Sequence, residues 1–160
     1  MTTDDRLAVY LAGPVRGPNA LWRDEFELAL STAWRQHGGL NWPYPLTIRP
    51  GANIPGAPAA DDRPDFYVPA DLVSIGRADL VVAYLLADES GRGTGFEIGY
   101  ATARGIRVLP VAGTPADRES WRFALANVAF VYPDLATAAA AVAYAAAQLA
   151  GARYDPARPG

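Results

Sequence analysis

The chain has no cysteine, so disulfides, thiolate metal sites and cysteine nucleophiles are all excluded. It has one histidine, His37, in the stretch Gln36-His37-Gly38-Gly39 that reads as a helix end. A histidine metal cluster is therefore impossible, and a Ser/His/Asp triad would have to use that residue alone. Lysine is missing altogether: all 14 basic residues are arginine, which removes a Walker A loop, a Schiff base and a pyridoxal cofactor. No run approaches the roughly 18 apolar residues of a membrane span, and the start from Met1 to Arg6 is too polar for a signal peptide. A cytoplasmic protein is the expectation. The net charge of −3 leaves no basic excess for binding polymeric nucleic acid, so a small-molecule substrate is expected. Carboxylates, tyrosines, hydroxyls and arginines remain to carry the chemistry.

At 160 residues the chain is the size of one domain, read as spanning 1–160. Half of it is hydrophobic, but 32 residues are alanine, so the core built from large side chains is smaller than that fraction suggests. Strand-like and helix-like segments alternate. Leu7 to Ala12 reads as a buried first strand, Leu21 to Gln36 as a helix with apolar residues at helical spacing, and Leu46 to Ile48 as a weak second strand. Pro50 to Pro64, rich in proline, glycine and alanine, reads as a loop near the site. Tyr67 to Arg77 fits a helix with Pro69 in its first turn, and Leu80 to Leu86 is the clearest buried strand. A helix from Thr94 to Arg104, a strand from Ile106 to Val111, a fifth strand from Val128 to Tyr132 and an alanine-rich helix from Leu135 to Leu149 complete the pattern. The expectation is an α/β fold, doubly wound and flavodoxin-like, with a five-stranded parallel sheet and helices on both faces. Ligands bind such sheets beyond the carboxyl ends of the strands, which selects the loops Gly13 to Ala20, Pro50 to Asp65 and Ala87 to Thr94.

Three blocks in those regions are not generic. Tyr10-Leu11-Ala12-Gly13-Pro14 ends the first strand, Asp71 leads through Ile75 to Ala78-Asp79, and Gly93-Thr94-Gly95-Phe96-Glu97-Ile98-Gly99-Tyr100-Ala101 opens a helix. In their order and spacing, over roughly Leu7 to Val111, they resemble the nucleoside 2-deoxyribosyltransferase family. The resemblance implies a doubly wound fold, no cofactor and no metal, and sites built at subunit contacts, hence a homo-oligomer. It implies a nucleoside or nucleotide substrate and a free nucleobase as acceptor. Glu97 matches the glutamate that attacks the anomeric carbon, Asp71 the acid that handles the proton of the departing base, and Tyr10 the hydroxyl that holds Glu97. Asn127 is a further sugar contact, and Gly13, Pro14 and Gly93 belong to the substrate loops.

Each residue also has a plainer reading. Thr94 to Glu97 fits a capping box, with Thr94 as cap and Glu97 reaching back to its amide, where the positive helix end would keep the carboxylate ionised. Asp71 fits a first-turn helix carboxylate, Tyr10 a core aromatic and Asn127 a turn residue. The chain departs from the family where an aspartate often stands six residues before the nucleophile, to bind the sugar's 5'-hydroxyl. Here that position is Gly91, with Asp88, Glu89 and Ser90 beside it. Related enzymes that hydrolyse the N-glycosidic bond of nucleoside 5'-monophosphates tend to have a small hydroxyl residue there, and Gly13 to Gly17 resembles their glycine and arginine loop. Arg16 and Arg92 would then bind phosphate. Three functions stay open: transfer of a 2-deoxyribosyl group between nucleobases, hydrolysis of nucleoside monophosphates, and non-catalytic nucleotide binding.

Overall fold

The computed structural model describes residues 6–15, 17–37, 42–51, 64–89, 91–126 and 128–153. Its elements follow one another as β1 (Ala8–Ala12), α1 (Trp22–Gln36), β2 (Leu46–Ile48), α2 (Pro64–Arg77), β3 (Leu80–Tyr84), α3 (Arg92–Ala103), β4 (Arg107–Val111), α4 (Pro115–Ser120), α5 (Arg122–Leu125) and α6 (Leu135–Arg153). The strands pair in the order β2-β1-β3-β4 and every pairing is parallel. From β1 the chain crosses to β2 on one side and then returns to β3 on the other. The order therefore reverses between β1 and β3, and a crevice opens where their carboxyl ends part.

Alternation along the strands divides the core into two layers. Val9, Leu11, Val82, Leu109 and Val111 face α1 and α6, where Trp22, Phe26 and Leu30 supply the bulk. The alanines of α6 serve here, because Ala138, Ala139, Ala143 and Ala146 let its backbone come close to α1 and the sheet. Tyr10, Ala12, Val81, Ala83 and Leu85 face the opposite way, onto Ile75 of α2 and Ile98 and Ala101 of α3. Helices thus cover both faces, as expected for a doubly wound sheet.

Among the described residues the sheet has four strands rather than five. The stretch expected as the last strand makes a single parallel bridge, Tyr132 to Val111. Tyr132 donates to the Pro110 carbonyl at 2.8 Å and accepts from the Ala112 amide at 3.0 Å. The next bond back along the chain would need an N–H at position 110, and proline has none. Forward, the Ala112 carbonyl accepts from the Arg118 side chain at 3.2 Å and the chain turns into α6. Other boundaries differ by a few residues: α2 begins at Pro64, which places Pro69 inside the helix rather than in its first turn. No helix among the described residues is long and apolar enough to cross a membrane.

Candidate active site

The carboxyl ends of β1 and β3, the first turns of α3 and one face of α2 enclose a cleft of about 600 Å³. Glu97, Asp71, Gly13, Pro14, Gly91, Arg92 and Gly93 all line it. Tyr10 lies fully buried beneath, and its hydroxyl donates to Glu97 Oε1 at 2.7 Å. Asp71 comes from α2, 9% exposed, and its Oδ1 accepts from the Gly51 amide at 2.9 Å. Pro50 and Gly51 line the cleft as the Pro/Gly/Ala loop was expected to, while 52–63 lie outside the described residues. So do Arg16, Ser90 and Asn127. Asp88 is exposed and does not line the cleft, whereas its neighbour Glu89 does, held by the Asn19 side-chain amide at 3.3 Å.

The capping box at Thr94 does not form. Gly91 is the N-cap residue, in the left-handed region at φ 56°, and the helix starts at Arg92. Thr94 is thereby carried into the first turn and buried, and the Glu97 carboxylate turns to Tyr10 instead. The expectation that the helix end keeps Glu97 ionised fails with it. Burial pushes the carboxyl up to about 7, the neighbouring Asp71 adds to the rise, and the Tyr10 hydrogen bond and Arg23 only partly offset it. Burial also raises Asp71, against the Gly51 amide, the Tyr10 hydroxyl and Arg23. Tyr10 is pushed up far enough, first by burial and then by Glu97, to remain a hydrogen donor throughout the physiological range. The arrangement is a half-buried carboxyl whose proton affinity is raised toward neutrality, gripped on one oxygen, with a second carboxyl on the same cleft.

Several residues of the site gave no sign in the sequence. Tyr84, Tyr67 and Trp121 contribute aromatic walls. Trp121 sits between α4 and α5, and its indole N–H donates to the Leu86 carbonyl at 3.0 Å. The next residue, Ala87, donates its amide to Asp117 of α4 at 2.8 Å. Asp117 in turn completes a capping box with Thr114, with Pro115 in the first turn. The loop after β3 is thus fastened at two consecutive residues, to α4 and to the tryptophan that follows it. A capping signal, Thr114-Pro115-Ala116-Asp117, was present to be read. Gly91 packs against the same indole so closely that a Cβ there would stand 2.2 Å from Trp121 Cζ2. The glycine at that departure from the family pattern is therefore required twice, by its φ and by the ring.

The parallel sheet with helices on both faces agrees with the comparisons. The family model for nucleoside 2-deoxyribosyltransferases matches residues 9–129, and the chain belongs to that family. The 2-deoxyribosyltransferase structure from Bacillus psychrosaccharolyticus aligns with a TM-score of 0.61 at 19% identity, over 82% of this chain and 90% of that one. The 2-deoxyribosyltransferase from Leishmania mexicana aligns at 0.58 and 19%, over 86% and 97% respectively. At such identities the likeness is one of fold. No curated protein matches the chain.

Proposed function

We propose that the chain cleaves the N-glycosidic bond of 2'-deoxynucleosides and transfers the 2-deoxyribosyl group to another nucleobase through a glycosyl intermediate on Glu97. The observation that carries this reading is the Glu97 carboxylate, held by Tyr10 at 2.7 Å inside a cleft it shares with Asp71. Tyr10 takes Oε1 and leaves Oε2 for the sugar. As Oε2 bonds to C1', the C1'–N bond breaks and its electron pair leaves with the base, which takes a proton from Asp71. The transition state is oxocarbenium-like, so a carboxylate on one sugar face and an acid at the leaving base are the two groups it needs. A second nucleobase then attacks C1' from the vacated side, returns its proton to Asp71 and frees Glu97, with retention of configuration.

Hydrolysis of a nucleoside 5'-monophosphate differs in its acceptor, water, and in the group at the 5' end. Arg92, which lines the cleft, favours that second reading, while Glu89, which lines it too, would repel a phosphate and accept a 5'-hydroxyl. The nucleoside reading therefore ranks first. The family resemblance extends the proposal to a homo-oligomer with the cleft completed at a subunit contact, and a monomeric sedimentation profile at micromolar concentration would remove that part. The deciding experiment incubates the protein with deoxynucleosides and their monophosphates, with and without free adenine or cytosine, and separates the products by chromatography. Exchange of base on a nucleoside, a covalent adduct on Glu97 with a slow 2-fluoro substrate, and silence of a folded Glu97→Ala protein are expected. Free base and sugar phosphate as sole products, even at high acceptor base, would establish the hydrolase. Near-native turnover by Glu97→Ala would overturn the covalent mechanism.

A further inference from the structure

The helix α1 sends one cation into the interior. Arg23, in its first turn, is 5% exposed. Its Nε and Nη2 donate to the Leu11 carbonyl at 3.2 and 3.1 Å, Nη2 donates also to the Gly13 carbonyl at 3.1 Å, and Nη1 donates to the Pro14 carbonyl at 2.7 Å. The Trp22 ring stands 4.7 Å from the guanidinium carbon. Burying a charge is costly unless an opposite charge or several hydrogen bonds compensate it. Nearby Arg49 is met by Asp24 and Glu27, both at 2.6 Å. Among the described residues, every hydrogen-bond acceptor of Arg23 is instead a neutral backbone oxygen.

Those oxygens belong to the end of β1 and the turn after it. Leu11 follows Tyr10, which holds Glu97, and Gly13 and Pro14 are wall residues of the cleft. Among the described residues, the ionisable groups acting around this strand end are Glu97 from α3, Asp71 from α2 and Tyr10 from β1, with Arg23 from α1 as the buried cation and Arg49, just after β2, acting against its charge. A guanidinium is a planar fork that can gather three carbonyls at once, whereas an ammonium is a point charge on a flexible stem.

We propose that Arg23 is a positioning residue for glycosyl transfer: it fixes the carbonyls of Leu11, Gly13 and Pro14 under the cleft and supplies the buried positive charge that accompanies ionised Glu97. It touches neither substrate nor reacting atoms, and its catalytic meaning rests on the reading of Glu97 as the nucleophile. The electrostatics run in the required direction. Arg23 pulls both Glu97 and Asp71 down against burial. Burial lowers Arg23 itself to about 10, so it remains a cation where Glu97 titrates.

The test reads the Glu97 carboxyl directly, by carbon NMR of protein labelled at the glutamate carboxyl and assigned with Glu97→Gln. A simple strut for the loop would change thermal stability and leave that titration alone. The expected midpoint is about 7 in the wild type, higher by about one pH unit or more in Arg23→Met, and within about half a unit of wild type in Arg23→Lys. The acid limb of kcat/KM should move with it, and Arg23→Lys should lower kcat because one ammonium cannot hold all three carbonyls. An unmoved midpoint in Arg23→Met overturns the proposal. If Arg23→Met does not fold, Arg23→Lys decides, since a displaced midpoint or an unaltered kcat there overturns it equally. A wild type that shows the titration shift but transfers no glycosyl group refutes the functional reading instead, so the two failures are distinguishable.

Discussion

Replacing Glu97 by glutamine should make the protein more stable above neutral pH while abolishing its turnover. Glutamine keeps the shape and the oxygen that accepts from Tyr10, and it removes the charge. In the wild type, burial holds the carboxyl near 7 when folded, against an ordinary value of 4.5 in the unfolded chain. Below 4.5 it is protonated in both states and contributes no difference. Between 4.5 and 7 the unfolded chain ionises first, so stability falls as pH rises, and above 7 the whole loss is in place. The gap corresponds to at most about 3 kcal/mol. Glu97→Gln escapes it. Relative to wild type, the variant should gain nothing at pH 4 and melt higher at pH 8 by no more than about 6–12 °C, the limit for a chain of this length. Calorimetric melts of both proteins from pH 4 to pH 9 measure the difference, which includes the relief of Asp71 from the neighbouring Glu97 charge. A difference that does not change with pH refutes the reasoning. So does a variant less stable at pH 8, which is what loss of a helix cap worth about 0.5–2 kcal/mol would produce.

The pH dependence of kcat/KM should rise through a midpoint near 7 in free enzyme, as Glu97 loses its proton; a rate flat from pH 5 to pH 8 would show that the nucleophile ionises elsewhere. Gly91→Ala should lower the melting temperature and alter Trp121 fluorescence, because the new Cβ meets the indole at 2.2 Å and must adopt φ 56°. About 1–3 kcal/mol is expected from the combined strain, and a variant with native stability and spectrum contradicts the packing. Arg92→Ala should raise KM for a deoxynucleoside monophosphate by about tenfold and leave the nucleoside unaffected, if phosphate binds at that wall. Equal effects on both substrates would remove Arg92 from 5' recognition.

The repeating part of the fold was legible because it is encoded locally. The apolar runs at β1 and β3 and the 3.6-residue spacing of α1 mark elements that lie within a few residues of their expected bounds. The supposed fifth strand was misjudged for a reason on another strand: Val128 to Tyr132 has the composition, but its partner carries Pro110 on the pairing edge. Short α4 and α5 have no apolar period to detect, only the cap at Thr114. At the site, the three blocks pointed to Tyr10, Asp71 and Glu97, and the structure brings them to one cleft. What they could not convey was environment. Thr94 and Glu97 have the spacing of a cap, yet Gly91 starts the helix a turn earlier. Arg23 has the look of a solvated helix arginine, and only the return of the β1 turn over α1 buries it.

The two-point attachment of the loop after β3 bears on how such a cleft can be remodelled. Leu86, Ala87 and Gly91 are distant in sequence from 114–121 but mechanically one part with them: Asp117 and Trp121 grip the loop, and Trp121 occupies the volume a side chain at position 91 would need. Transplanting either segment alone would leave donors without acceptors or drive a side chain into the ring, so substitutions in the two should be strongly non-additive. An acidic residue could enter at position 91 only in a protein that also gave up the tryptophan. The unit of exchange in designing a new 5'-end preference is therefore the pair of segments, moved together.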